Sequence, residues 1–152
     1  MATAEQTMIK VQRLLTGPMG LNLRLEGNVI SIVFSDLSTS VQVRIHDWVK
    51  DKDGEPQSLV LISSMILRAV KPSPALFEWV ARTGGSRWFG HVEVADDQQN
   101  PGTVMLIFSH TLLGDYLDEK ELGHGVFGIL HGANEWDDEL QKKFGGKRWV
   151  DQ

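Results

Sequence analysis

Two alternating runs, Arg87 to Ala95 and Thr103 to Thr111, flank the spacer Asp96-Asp97-Gln98-Gln99-Asn100-Pro101-Gly102. Apolar and polar residues taking turns, with a polar Pro-Gly spacer between the runs, predict a β-hairpin. Side chains on a strand alternate between two faces, so folding this hairpin about the centre of its loop sorts them by parity. Trp88, Val92, Val94, Val104, Leu106, Phe108 and His110 fall on one face, which is nearly all apolar and is expected to be core. Phe89, His91, Glu93, Met105, Ile107 and Ser109 fall on the other, a mixture suited to an open face or to the seat of a partner.

The hairpin follows a helix with clear ends. Ser73 in Pro72-Ser73-Pro74 is an N-cap residue and Pro74 fits the first helical position, where its missing N–H costs nothing. Leu76, Phe77, Val80 and Ala81 share one side, and Gly84-Gly85 ends the run.

Other elements follow from the same periodicities. Residues 2 to 16 read as an amphipathic helix with the stripe Ala4, Met8, Val11, Leu15, stopped by Gly17-Pro18. Leu21, Leu23 and Leu25 alternate with polar residues, and Gly27-Asn28 turns that strand into Val29 to Phe34. Val41, Val43 and Ile45 alternate with Gln42, Arg44 and His46, and Asp51 to Pro56 forms the next turn. Ser58 to Leu67 is more continuously apolar, which predicts a central strand covered on both sides.

A long helix closes the sequence. Asp118 and Glu121 resemble a capping box, and Leu122, Val126, Ile129, Leu130, Ala133, Trp136 or Asp137, Leu140 and Phe144 keep helical period up to Gly145-Gly146. Gly125, Gly128 and Gly132 make a bare groove on this helix, for close packing or for a ligand, facing inward or toward a second copy. Thr111 to Asp118 could cap the helix or contribute to a site. The predicted order is αββββαββα. This is one α+β domain over residues 1–152, an antiparallel sheet of about five to six strands with helices on one face.

Composition narrows the function classes. Of 152 residues, 41% are hydrophobic and 23% charged, which is ordinary for a globular domain. A net charge of −5 disfavours nucleic acid, whose phosphates need a basic stripe, and to a lesser degree an anionic membrane surface. The cluster Lys142, Lys143, Lys147 and Arg148 is expected to oppose the dipole at a helix C-terminus. With no cysteine there is no disulfide, thiol nucleophile or zinc-thiolate site. No apolar run approaches the length of about 18 residues that a membrane helix needs, and no basic-then-apolar leader is visible, so a cytoplasmic address is expected.

Motifs that resemble chemistry lack the context it needs. Gly123-His124-Gly125-Val126-Phe127-Gly128 spells G-x-G-x-x-G, yet helical residues precede it where a nucleotide site requires a strand. His124 and His131 are two helical turns apart, about 10 Å, too far to share one metal ion. His91, Glu93 and Ser109 share a face, but no nucleophile elbow or glycine-backed oxyanion nest accompanies them. The expectation is no catalytic residue, no cofactor and no metal. Recognition remains: Phe89, His91, Met105 and Ile107, flanked by Arg44, His46 and Trp48, could seat an apolar peptide or protein segment, or pack on a subunit or helix. A small-ligand sensory or regulatory domain on the same face, and a hydrolase built on His91 and Ser109, are the alternatives.

A set of strings carries a resemblance. Pro72-Ser73-Pro74 with Leu76-Phe77-Glu78-Trp79-Val80, Phe89-Gly90-His91, Phe108 to Leu117, and Asp138-Glu139-Leu140 before Phe144-Gly145-Gly146 resemble an actinobacterial YbjN-type family. That family is grouped with type III secretion chaperones of the CesT kind. The likeness covers about residues 58 to 149, and the Ser109 to Leu117 string is its most specific piece. It implies a chaperone-like α+β fold, a homodimer, and binding of a peptide or partner protein without catalysis. It carries no catalytic residues and does not imply membership of a secretion system.

Overall fold

The computed structural model describes residues 2–152. It has the expected order, α1 (Ala4–Thr16), β1 (Leu23–Glu26), β2 (Val29–Val33), β3 (Ser40–Lys50), β4 (Pro56–Val70), α2 (Pro74–Thr83), β5 (His91–Asp96), β6 (Val104–Leu113) and α3 (Glu119–Phe144), and adds a 3-10 turn at Trp149–Asp151. All six strands join one antiparallel sheet in the order β1-β2-β3-β4-β6-β5. The first four strands form a meander; the chain then crosses through α2 to the far edge as β5, and β6 returns between β5 and β4, which leaves β4 inside the sheet.

The helix starts follow their caps. Thr3 and Gln6 form a reciprocal capping box on α1, Ser73 accepts from Leu76 N, and Asp118 accepts from Glu121 N at 2.8 Å. At α3 only this half of the expected box forms.

α3 seals one face of the sheet. Its glycines meet the chain's own core: Gly125 faces Ile62 and Leu112, Gly132 faces the ring of Phe108, and Gly128 lies against Phe89. The bare groove is thus internal packing. Val11, Leu15, Val43, Ile62, Ile66, Leu106, Phe108, Val126 and Ile129 are among the side chains buried between the sheet and the helices. Thr111 to Leu113 continue β6, paired with Leu61, Val60 and Leu59, and the shorter loop 114–118 ties this layer to α1. Gly114 N donates to Ser58 O at 2.9 Å and leaves room for the buried Thr7–Ser58 hydroxyl pair at 2.6 Å, and Ala2 N donates to Asp115 at 2.8 Å.

Two expectations about the sheet are corrected. β4 is central, but it is covered on one face only: Val60, Ile62, Ser64 and Ile66 are buried while Leu59, Leu61, Ser63 and Met65 are half-buried on the other side. Its run looked continuous because the uncovered face is also apolar. β5 begins at His91, not Arg87. Within the strands the hairpin parity holds, with Val92, Val104, Leu106 and Phe108 buried and Glu93, Met105 and Ile107 opposite.

Before β5 the parity fails, for a local reason. Gly90 has φ +81, a left-handed residue that resets the direction of the chain. Arg87 stacks over Trp136 at 4.3 Å and pairs with Glu135 at 2.6 Å. Phe89 turns to the helix side, its ring edge-on to His110 at 5.6 Å and His124 at 6.2 Å. Trp88, expected in the core, projects between these anchors and is 99% exposed.

The far end of β4 is held by a buried ion pair. Asp97 accepts from Arg68 at 2.6 Å and also from Ala69 N, Gln99 N and the Asn100 amide. The Arg68 guanidinium beside it holds the Asp97 carboxyl well below the usual carboxylate range, against the opposing effect of burial.

Two outcomes test this description. In urea unfolding at a concentration dilute enough to hold the wild type as single chains, Trp88→Ser is expected to change unfolding free energy by less than about 0.5 kcal/mol, whereas Phe89→Ala costs about 2 kcal/mol, less than a fully buried Phe. Asp97→Ala removes one partner of a buried pair and is expected to cost about 3 kcal/mol. Because the folded carboxyl titrates lower than the unfolded one, its contribution is complete above about pH 4 and fades as pH falls. The gap between wild type and Asp97→Asn in urea midpoint should narrow below that pH; a constant gap would place the stabilisation elsewhere.

Candidate functional site

The face of the sheet opposite α3 carries the candidate site. Strand pairing sets its rows: Gln42, Ser63, Ser109 and His91 lie side by side, Arg44 lies beside Leu61 and Thr111, and Met65 lies beside Ile107 and Glu93. Leu61, Met65, Met105 and Ile107 are half-buried although no α-helix among the described residues packs on them. They floor an open cleft of about 430 Å³ that Arg44 and Glu93 also line.

The segment after α3 closes one end of this cleft. Gly145 and Gly146 have φ +76 and +86, and a Cβ at Gly146 would press into the backbone of Arg68. The chain then passes the end of β4 through a bridge in which Arg68 N and Lys147 O, and Lys147 N and Arg68 O, are each 2.8 Å apart. Trp149 arrives at the cleft 41% exposed, and its segment is fixed by Arg148 pairing with Asp138 and Asp151. Sequence reasoning missed Trp149 as a site residue and placed Lys147 and Arg148 at the helix C-terminus; only Lys142 and Lys143 occupy the last turn of α3. The paired glycines at its end were the available signal that the chain turns back.

The expected site residues divide. Arg44, Met105 and Ile107 come together in the cleft, with His91 exposed beside it on β5. Phe89 does not join them, because Gly90 turns it against α3. Trp48 lies at the end of β3, past the cleft, where the β3–β4 register shifts; it lines a separate hollow with Thr3, Lys50 and Pro56.

The polar groups show what chemistry is within reach. Ser109 Oγ donates to Glu93 at 3.2 Å, and Ser109 is 2% exposed. A nucleophile needs its hydroxyl proton directed at a base and its oxygen open to substrate; this hydroxyl points its proton at the Glu93 carboxylate, but its oxygen is buried and closed to substrate. His110 faces the helix layer, where burial, and then the charge of His91, lower its pKa. Gly123 to Gly128 lies wholly inside α3, away from the helix N-terminus where a pyrophosphate would sit. Among the described residues no group of three or more His, Cys, Asp or Glu is arranged to hold a metal ion. What the face offers is apolar area on β4 and β6, crossed between Leu61 and Met65 by the polar row of Gln42, Ser63, Ser109 and His91. No helix among the described residues is long and apolar enough to cross a membrane.

No family model and no curated protein matches the sequence. Solved structures do match. YbjN from E. coli, described as a candidate transcription regulator, aligns with a TM-score of 0.61 at 13% identity over 90% of this chain and 93% of its own. ExsC, in its complex with ExsE, aligns with a TM-score of 0.58 at 20% identity over 88% of this chain and 95% of that one. The six-stranded sheet with three helices is the α+β fold shared with YbjN and ExsC, as the sequence resemblance implied.

Proposed function

We propose that this chain is a non-enzymatic, cofactor-free, chaperone-like module of the cytoplasm that binds a peptide or protein segment on the open face of its sheet and works as a homodimer. One observation carries the reading: Leu61, Met65, Met105 and Ile107 are apolar side chains on the sheet face that no α-helix among the described residues covers. Apolar area of this kind is stabilised by a partner at roughly 25 cal/mol per Å² removed from water. The match to ExsC in its complex with ExsE is consistent with a protein partner. A net charge of −5 is consistent with a partner other than nucleic acid.

The dimer needs a different surface. On α2 only Leu76 is buried, and Phe77 and the following Trp88 are 46% and 99% exposed. These side chains, away from the cleft, are where a second copy is expected to pack.

A small-ligand sensory role is the second reading. The cleft volume of about 430 Å³ falls within the range of about 300–1,000 Å³ that small-molecule sites occupy. An open sheet face suits an extended segment better than a ligand that must be enclosed.

Two measurements test the proposal. Proteins retained by the wild-type chain from its own cell extract should be lost with a Met105→Asp, Ile107→Asp double variant; retention unchanged would end the sheet-face reading. Light scattering should give twice the 17.0 kDa mass of one chain. Phe77→Asp with Trp88→Asp should return it to one chain mass while leaving partner binding at the sheet face detectable. A wild-type monomer at micromolar concentration would remove the dimer from the proposal.

A further inference from the structure

Resting on the peptide-binding reading above, we propose that the cleft has a charge polarity, taking an extended partner segment that presents an acidic residue over β3, a large apolar residue over β4 and β6, and a basic residue over β5. Arg44 on β3 is exposed, and its one side-chain hydrogen bond goes to the neutral Gln42 at 3.3 Å. No carboxylate among the described residues pairs with it. Arg68, the other cation lining the cleft, is already neutralised by Asp97. Across the sheet, Glu93 on β5 is exposed; among the described residues it accepts only from the neutral Ser109 and has no cation within pairing distance. One positive and one negative group without an ionic partner therefore stand on opposite sides of a floor made by Leu61, Met65, Met105 and Ile107 and crossed by the Ser63–Ser109 row.

Strand geometry gives the span. Arg44 is level with Leu61 and Glu93 is level with Met65, four residues further along β4. Three strand spacings of about 4.8 Å and four residues of about 3.4 Å separate the two charges by a diagonal of about 20 Å. An extended segment covers that distance in about six residues, and fewer once the Arg and Glu side chains reach inward. Trp149, held in place by the Lys147 bridge and the Arg148 pairs, walls the apolar compartment at the Met105 end. A partly exposed indole on a fixed backbone is a common anchor in recognition surfaces. A segment laid the other way would set acid against Glu93 and base against Arg44, so the two charges select a direction as well as a composition.

The test is selection of linear peptides from a random displayed library on the full chain, followed by fluorescence polarisation with labelled copies of the winners. The expected winners carry an acid and a base about four to six residues apart around a large apolar residue. Arg44→Glu and Glu93→Lys should each weaken them by about fivefold, the scale of one exposed ion pair, while leaving the melting temperature unchanged. The double variant Arg44→Glu, Glu93→Lys should prefer the peptide with its two charges exchanged. Winners indifferent to both single variants, yet lost with Met105→Asp and Ile107→Asp, would overturn the polarity and leave peptide binding standing. Winners indifferent to all four substitutions, or a library yielding no winner, would overturn both. If Arg44→Glu or Glu93→Lys instead splits a dimer, the two charges serve a second copy, and the polarity proposal is wrong.

Discussion

The close approach of α3 to the sheet is the contact on which the rest of the molecule depends. Phe108 and Ile62 can be fully buried because Gly132 and Gly125 present no side chain to them. A glycine inside a helix costs roughly 1 kcal/mol relative to alanine, and α3 has four, at 123, 125, 128 and 132. A fully buried Phe or Ile returns roughly 1.5–3 kcal/mol through water removal alone. The exchange is favourable only where the sheet reaches the glycine, as it does at Gly125 and Gly132; Gly128 is covered by Phe89 from outside the sheet. Gly123 has no such neighbour. All of the helical closure is thereby spent on one face, and the opposite face has no helix left to cover it.

That asymmetry explains which parts of the structure were legible in the sequence. Ser73, Asp118 and the Gly84 and Gly145 stops fixed helix ends because each acts through backbone groups within a few residues of itself. Val92, Glu93, Met105, Leu106, Ile107 and Phe108 were sorted correctly because parity is local and survives any even error in register. The covering of β4 was misread because hydrophobicity does not distinguish a side chain under a helix from one awaiting a partner. Ile62 and Leu61 look alike in the sequence and have opposite surroundings in the fold.

The site was less legible than the fold, and for two separate reasons. Phe89 and Trp88 exchanged their expected sides because alternation was extended through Gly90, whose left-handed backbone breaks it. A Phe-Gly-His string inside an apparent strand is where a bulge or bend should be considered first. Trp149 was invisible as a site residue because it reaches the cleft through a non-local event. Its position is set by Lys147 meeting Arg68, residues 79 positions apart in the chain.

The Arg68 junction joins these two halves of the structure. Ala69 holds φ +51, a left-handed conformation that costs a non-glycine residue about 1 kcal/mol or more. Its N–H is aimed at Asp97, whose carboxylate also receives Arg68 and two groups of the β5–β6 loop. Ala69 lies within the second of the two register shifts of β4 against β6, between Leu67 and Val70. Arg68, one residue earlier, turns its backbone outward to Lys147 while its side chain stays with Asp97. A single buried carboxylate therefore anchors the hairpin of the open face, the strained end of the central strand, and the segment that carries Trp149 across. The cleft owes its walls to that anchor and its uncovered floor to the glycines on the far side of the sheet.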